Sequence, residues 1–180
     1  ILGDNFFYGQ SLSDKLRKIT KLKKGATVFV HPVNNPSRFG IATLNNGKVV
    51  KLLEKPKKTK SNLAVTGLYF FDNSVVEKVL ILKKSKIKKL EIIDLLNLYL
   101  KKKLLKIEYL GRGAAWLDAG TIDDLSQTST FVSSIEKRQG LKVACLEEIA
   151  LLNNWINRNN VINAIKFYGN CDYSKYLKSL

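Results

Sequence analysis

The 180 residues predict an α/β fold with a mixed, mostly parallel sheet and C-terminal helices. Three observations carry this reading. Short β-branched and aromatic runs alternate with stretches of helical periodicity, the pattern of strands connected through helices. Hydrophobic residues make up 45% and charged residues 26% of the chain, a balance that allows a buried core. No apolar run approaches the ~20 residues of a membrane helix, and no charged-then-apolar leader opens the chain. Neither a spanning segment nor a signal peptide is therefore expected, and the cytoplasm is the expected compartment.

The elements follow in order. Ile1-Leu2 is a strand-like start broken at Gly3-Asp4-Asn5. Leu12, Leu16, Ile19 and Leu22 recur at helical spacing between Ser11 and Lys24, and Gly25 ends that helix. Ala26 to Val33 is a strand stopped by Asn34-Asn35-Pro36-Ser37. Phe39 to Leu44 and Lys48 to Leu53 flank Asn45-Asn46-Gly47, a hairpin signal. After a polar loop, Ala64 to Phe71 is a strand, and Ser74 to Leu82 and Glu91 to Lys101 are helices. Lys106 to Leu110 is a strand, Gly111 to Thr121 a glycine-punctuated loop with a short apolar centre, and Ile122 to Lys137 a helix. The last forty residues read as helices joined by Asn and Gly breaks, so the organisation expected is a domain over 1–140 and a helical tail over 141–180.

Lys plus Arg is 31 against 15 Asp plus Glu, a net charge of +16. Nucleic acid is the first partner such a charge suggests. Yet only five of the basic residues are arginine, the lysines are spread along the chain, and aromatics such as Tyr69 and Phe70 sit in apolar runs that read as core. Nucleic-acid surfaces lean on arginine forks and stacking aromatics gathered on one face, so no nucleic-acid role is expected. Cys145 and Cys171 are too few for a disulfide framework and read as small packing residues. The lone His31, inside a strand, reads as structural.

Ligands of open α/β sheets gather at strand ends, and three places put polar residues there. Asp4-Asn5 can approach a divalent cation, or simply cap the next helix. Asp118, between Trp116-Leu117 and Ala119-Gly120, is either a second oxygen ligand or a helix N-cap. Mg²⁺ often takes one or two carboxylates plus substrate phosphates, which would suit Asp4 and Asp118 together. Glu54-Lys55 can receive sugar hydroxyls and pair with a phosphate, or form a solvent-facing ion pair.

In order along the chain, Leu2-Gly3-Asp4-Asn5, Pro36-Ser37-Arg38-Phe39-Gly40, Leu53-Glu54-Lys55-Pro56, Asn62-Leu63-Ala64-Val65-Thr66-Gly67-Leu68-Tyr69, Leu90-Glu91-Ile92-Ile93-Asp94, Trp116-Leu117-Asp118-Ala119-Gly120-Thr121 and Ile135-Glu136-Lys137-Arg138 resemble the glucose-1-phosphate thymidylyltransferase family. The resemblance runs to about residue 155. It implies a Rossmann-like nucleotidyltransferase (nucleotide-diphospho-sugar transferase) fold. It implies Mg²⁺-dependent formation of dTDP-glucose and pyrophosphate from dTTP and glucose 1-phosphate, a homotetramer, and a place in dTDP-rhamnose and surface-polysaccharide synthesis. Asp4 and Asp118 match the two magnesium aspartates. By the same resemblance Asn5 lies beside the first of them in the sugar-nucleotide pocket, Gly40 matches a backbone contact to the sugar, Glu54 the acceptor for glucose hydroxyls, Lys55 a phosphate contact and Val65 a further sugar-side contact, and Phe39 stands at a substrate-binding position.

The chain also departs from that family. The glycine-rich G-G-x-G-T-R-L phosphate loop is not among these residues, and there is no methionine, so a piece of a longer chain is expected, inactive when made alone. Phe39 stands where the family commonly has Tyr. Ile87, between Lys86 and Lys88, stands where it has an arginine near the sugar phosphate. Ala114 replaces an aromatic, and Leu146 a proline. A transferase for another nucleotide or sugar phosphate, or an idle remnant that binds sugar nucleotide or a partner subunit, stays open.

Overall fold

The computed structural model describes residues 1–85 and 90–180, so Lys86, Ile87, Lys88 and the departure expected at Ile87 lie outside the described residues. Contacts divide the chain into two compact units, Ile1–Gly120 and Thr121–Leu180.

The first unit is built on a five-stranded sheet. Its strands, with the short pair described next, are β1 (Asn5–Tyr8), β2 (Ala26–Pro32), β3 (Gly40–Asn45), β4 (Lys48–Glu54), β5 (Leu63–Phe71), β6 (Leu105–Tyr109) and β7 (Ala115–Asp118). The large sheet has the order β4-β3-β5-β2-β6, and β1 pairs separately with β7. The mixed sheet matches the expectation, but the expected parallel majority does not hold. Among the described residues only β2–β6 runs parallel, whereas β1–β7, β2–β5, β3–β4 and β3–β5 are antiparallel. For β3–β4 the reason is connection length. Strands β3 and β4 are joined by the Asn46-Gly47 turn, which permits only an antiparallel return, whereas a parallel pair needs a crossover.

Two further expectations change. The strand-like start expected at Ile1-Leu2 is not a strand; β1 begins at Asn5, the last residue of the expected break, and the glycine loop holds β7, each strand four residues long and paired with the other. The first helix, α1 (Leu12–Ile19), stops short of Lys24. There the Thr20 hydroxyl donates to the Arg17 carbonyl at 2.9 Å, a local bond that competes with helix continuation.

Alternate residues of the central strands serve opposite faces. Val28, Val30 and Val65 pack with Ile93 and Leu96 of α3 (Ile92–Lys101). Phe29 and Leu68 pack on the other face with Ile19 of α1, Phe7 and Trp116. Helix α2 (Val75–Ser85) is docked by a polar knot at the end of β5. The Asp72 carboxylate accepts the Gly25 N–H at 2.5 Å, the Tyr99 hydroxyl at 3.0 Å and the Ser74 N–H at 3.1 Å. The Ser74 hydroxyl also donates to Asp72, and Lys78 donates to Ser74 while lying 4.5 Å over the Tyr99 ring. Gly25, at φ 96°, is required there because a Cβ would stand 2.4 Å from the Leu104 carbonyl oxygen.

The second unit comprises α4 (Ile122–Gln139), α5 (Leu146–Leu152), α6 (Arg158–Tyr168) and α7 (Asp172–Leu177). Cys145, Val161 and Leu177 form its core. Glu136 ties the end of α4 to the next turn, accepting from Lys142 at 2.7 Å and from the Val143 N–H at 3.0 Å. Of the two thiols, Cys145 is buried packing, as expected, whereas Cys171 caps α7 by accepting the Ser174 N–H. No helix among the described residues is long and apolar enough to cross a membrane.

Hydrogen bonds from Ser74, then Gly25, hold the Asp72 carboxyl down at about 2, below its ordinary 3.8. A depressed folded value stabilises above the unfolded one and is lost on acidification through the folded one. Asp72→Asn should therefore cost on the order of 1–3 kcal/mol at neutral pH, and urea titrations should show this difference shrinking between about pH 4 and pH 2.

Candidate functional site

The site starts from the β1–β7 ribbon. Asn5 and Asp118 are directly opposed in its register, and the Ala119 N–H donates to the Asp4 carbonyl at 2.7 Å just beyond it. Two segments more than a hundred residues apart thereby bring Asp4 and Asp118 to one end. The Asn5 amide donates to Asp4 Oδ1 at 2.9 Å and to Asp118 Oδ1 at 3.1 Å. A Cβ on Gly120 would lie 3.8 Å from Oδ2 of each aspartate, so both carboxylates face one open point.

Neither aspartate caps the following helix. Ser11 precedes α1 as its N-cap, and Thr121 caps α4 by accepting the Asp124 N–H at 3.1 Å. The capping alternatives for Asp4 and Asp118 are thereby removed.

These carboxylates open onto a hollow of about 390 Å³ within the first unit. Asp4, Asn5, Phe39, Gly40, Glu54, Lys55, Val65 and Asp118, all the residues singled out from sequence, line it. Each arrives by a simple route. Val65, Gly67 and Tyr69 are alternate residues of β5 and so share one side, which makes one wall. Gly40 and Glu54 are paired across the β3–β4 hairpin. Lys55 follows at φ 40°, a left-handed conformation that a side chain adopts at a cost, held by its N–H to the Phe39 carbonyl at 3.1 Å. Phe39 meets Trp116 at 5.1 Å between ring centroids, forming an apolar corner.

Reading the sequence missed several lining residues. Tyr69 was assigned to the core and lines the hollow. Burial, reinforced by the Glu54, Asp118 and Asp4 carboxylates, pushes its phenol up to about 12, so it remains a hydrogen-bond donor at neutral pH. Arg38, Glu91 and Trp116 also face inward. They lie inside the motifs already quoted, which was the signal available for them. Glu91 opens α3, where Asp94 accepts its N–H at 3.1 Å. Burial and the neighbouring Glu91 raise the Glu54 carboxyl above its ordinary range, while Lys55 opposes the rise. His31 meets Trp116 edge-on at 6.4 Å, and burial lowers its imidazole, consistent with a neutral structural role.

Among the described residues no group of three or more His, Cys, Asp or Glu side chains gathers for a metal. Two converging carboxylates suit a hard cation that completes its shell with substrate and water oxygens. Chemically the hollow offers acceptors at one end, an ammonium at Lys55 and an apolar corner.

Gly40 is fixed by close approach: a Cβ there would stand 2.7 Å from Ile93 Cδ1 and 3.4 Å from Glu54 Oε2. Gly40→Ala should cost on the order of 1–3 kcal/mol. The cost should shrink when Ile93→Val removes that methyl, a coupling readable in a denaturant double-mutant cycle.

Comparison with known proteins gives this geometry a family. The nucleotidyl transferase family model matches residues 1–135. A glucose-1-phosphate thymidylyltransferase of Neisseria meningitidis is 44% identical across 100% of this chain and 63% of its own length. Counterparts from Xanthomonas campestris and Mycobacterium tuberculosis are 45% and 41% identical, again across 100% of this chain and over 61% and 62% of their lengths. A Bacillus anthracis structure described as a glucose-1-phosphate thymidylyltransferase in complex with sucrose aligns at 35% identity with a TM-score of 0.62. That alignment covers 73% of this chain and 52% of that one. The chain thus spans about three-fifths of the length of these curated relatives. With the family model covering three-quarters of its residues and the paired carboxylates inside that span, the chain belongs to the nucleotidyl transferase family.

Proposed function

We propose that this chain supplies the metal and sugar-phosphate half of a glucose-1-phosphate thymidylyltransferase, which transfers dTMP from dTTP to α-D-glucose 1-phosphate and releases pyrophosphate. One observation carries the reading: Asp4, Asp118, Glu54 and Lys55 share a single hollow. In this reading Asp4 and Asp118 hold Mg²⁺, whose charge, when bound, offsets that of the phosphates. Glu54 receives glucose hydroxyls, Lys55 pairs with the sugar phosphate, and Gly40, Val65 and Phe39 shape the sugar side. An oxygen of glucose 1-phosphate attacks the α-phosphorus of dTTP, the bond from that phosphorus to the bridging oxygen breaks, and pyrophosphate leaves. Such a transfer needs positioning and charge neutralisation rather than a protein nucleophile, which matches a hollow lined by carboxylates, an ammonium and aromatic walls.

The same reading makes the enzyme a cytoplasmic homotetramer at the head of dTDP-rhamnose and surface-polysaccharide synthesis. It also assigns the triphosphate cradle to a glycine-rich loop that residues 1–180 do not contain.

Two measurements test the proposal. Calorimetric titration with dTDP-glucose and Mg²⁺ should show binding that Asp118→Asn weakens at least tenfold; equal binding by both proteins overturns the metal assignment. The 180-residue polypeptide by itself should release no pyrophosphate from dTTP and glucose 1-phosphate. Measurable turnover would show that a separate phosphate loop is dispensable.

A further inference from the structure

Strands β2 and β6 run parallel, so the two segments that lead into them arrive side by side at one end of the sheet. Ala26 stands opposite Leu105, and the Ala26 N–H donates to the Leu104 carbonyl at 2.9 Å. Both lead-ins are lysine runs, Lys21-Leu22-Lys23-Lys24 before β2 and Lys101-Lys102-Lys103 before β6, and every lysine in them is exposed. Lys106, opposite Thr27, adds to them. With Lys18, Lys21, Lys23 and Lys24 it lines a hollow of about 450 Å³ in which Glu108 supplies the acid. Helix α2 packs on the same end, its Val75, Val79 and Leu82 sharing a cluster with Ala26, Leu104 and Leu105. Three of its apolar residues stay in solvent, Val76 at 64%, Leu80 at 53% and Ile81 at 60% exposure, beside an exposed Glu77. The hollow that holds Asp4 and Asp118 lies toward the other end of β2, where His31 meets Trp116.

We propose that this end of the first unit docks on the surface of an anionic lipid bilayer, its lysines against the headgroup phosphates and Val76, Leu80 and Ile81 in the interfacial layer. Side-chain chemistry selects this partner. An ammonium on a four-carbon stem is a mobile point charge that can follow a fluid array of phosphates. Ordered nucleic acid is read instead with planar guanidinium forks and stacked rings, and the two lysine runs contain neither arginine nor an aromatic ring. Clusters of about four to eight basic residues are attracted to an acidic leaflet. Charge alone gives weak, reversible attachment, and a second, apolar signal strengthens it. Exposed apolar side chains on α2 supply that signal, which a soluble polyphosphate chain would leave unburied. Lying on a bilayer needs no spanning helix.

Co-sedimentation of the 180-residue chain with vesicles of equal parts phosphatidylglycerol and phosphatidylcholine tests this. The chain should bind them, bind less as salt rises, and ignore pure phosphatidylcholine; no binding to the anionic vesicles overturns the proposal. Lys23→Gln/Lys24→Gln/Lys102→Gln should weaken binding about tenfold or more. Lys57→Gln/Lys58→Gln/Lys60→Gln removes as many exposed charges from the loop that enters β5, at the strand's far end from Asp72. Its affinity should stay within about threefold of the parent's, because a charge acts on the headgroups only within a Debye length of ~10 Å. Equal losses in the two triple variants would reduce the effect to net charge and overturn the surface. Leu80→Asn/Ile81→Asn, which changes no charge, should weaken binding about threefold or more. Thermal melting reports whether that variant folds, and Val76→Asn makes the same test if it does not. Undiminished binding by the folded variant overturns the bilayer as occupant. Tighter binding to an RNA duplex than to the vesicles at equal phosphate concentration also overturns it, and assigns the surface to nucleic acid.

Discussion

The pairing of two four-residue strands, Asn5–Tyr8 with Ala115–Asp118, is the constraint on which the site depends. Each segment is too short to persist alone, since even a full hairpin is marginal in water. Together they bring two aspartates from opposite ends of the first unit to a common point and set Asn5 between them. The ribbon is held in turn from below: Phe7 and Trp116 pack against Phe29 and Leu68 of the large sheet, and the Leu2 N–H bonds the Gly67 carbonyl at 2.8 Å. Apolar burial of the ribbon's underside therefore maintains polar geometry at its tip.

A second constraint lies across the hollow. The β3–β4 hairpin delivers Gly40, Glu54 and Lys55, and α3 delivers Glu91 and Ile93. The hairpin and the helix meet through the missing side chain of Gly40. Strain at Lys55 and the raised carboxyl of Glu54 occur in the same few residues. Strained backbone and shifted acidities concentrate where chemistry is done, whereas Asp72, another perturbed carboxylate of this unit, is explained by hydrogen bonds that dock α2 and α3. The difference is one of partners. Asp72 is surrounded by donors within the fold; Glu54 faces other carboxylates and an open hollow.

Much of this was legible in the sequence. Strands β2 to β6 and the principal helices follow from periodicity and turn chemistry, because long apolar runs such as Ala64 to Phe71 leave little choice of state. The eight residues assigned by motif all line one hollow, because motifs preserve spacing along strand ends and strand ends converge. Sheet direction was read wrongly, since the alternation of strands and helices does not reveal which strand pairs with which. Tyr69 was read as core because an aromatic within an apolar run carries no mark of the face it will occupy.

By itself, then, the sequence determined the class of fold, the order of its elements and which polar residues stand at strand ends, all properties of local pattern and spacing. Only the tertiary structure decided that Asp4 and Asp118 meet, that Asn5 spans them, and that β1 and β7 exist as strands at all. Those are pair properties of distant segments, and their stabilisation comes from cross-strand hydrogen bonds and shared burial that neither segment possesses alone.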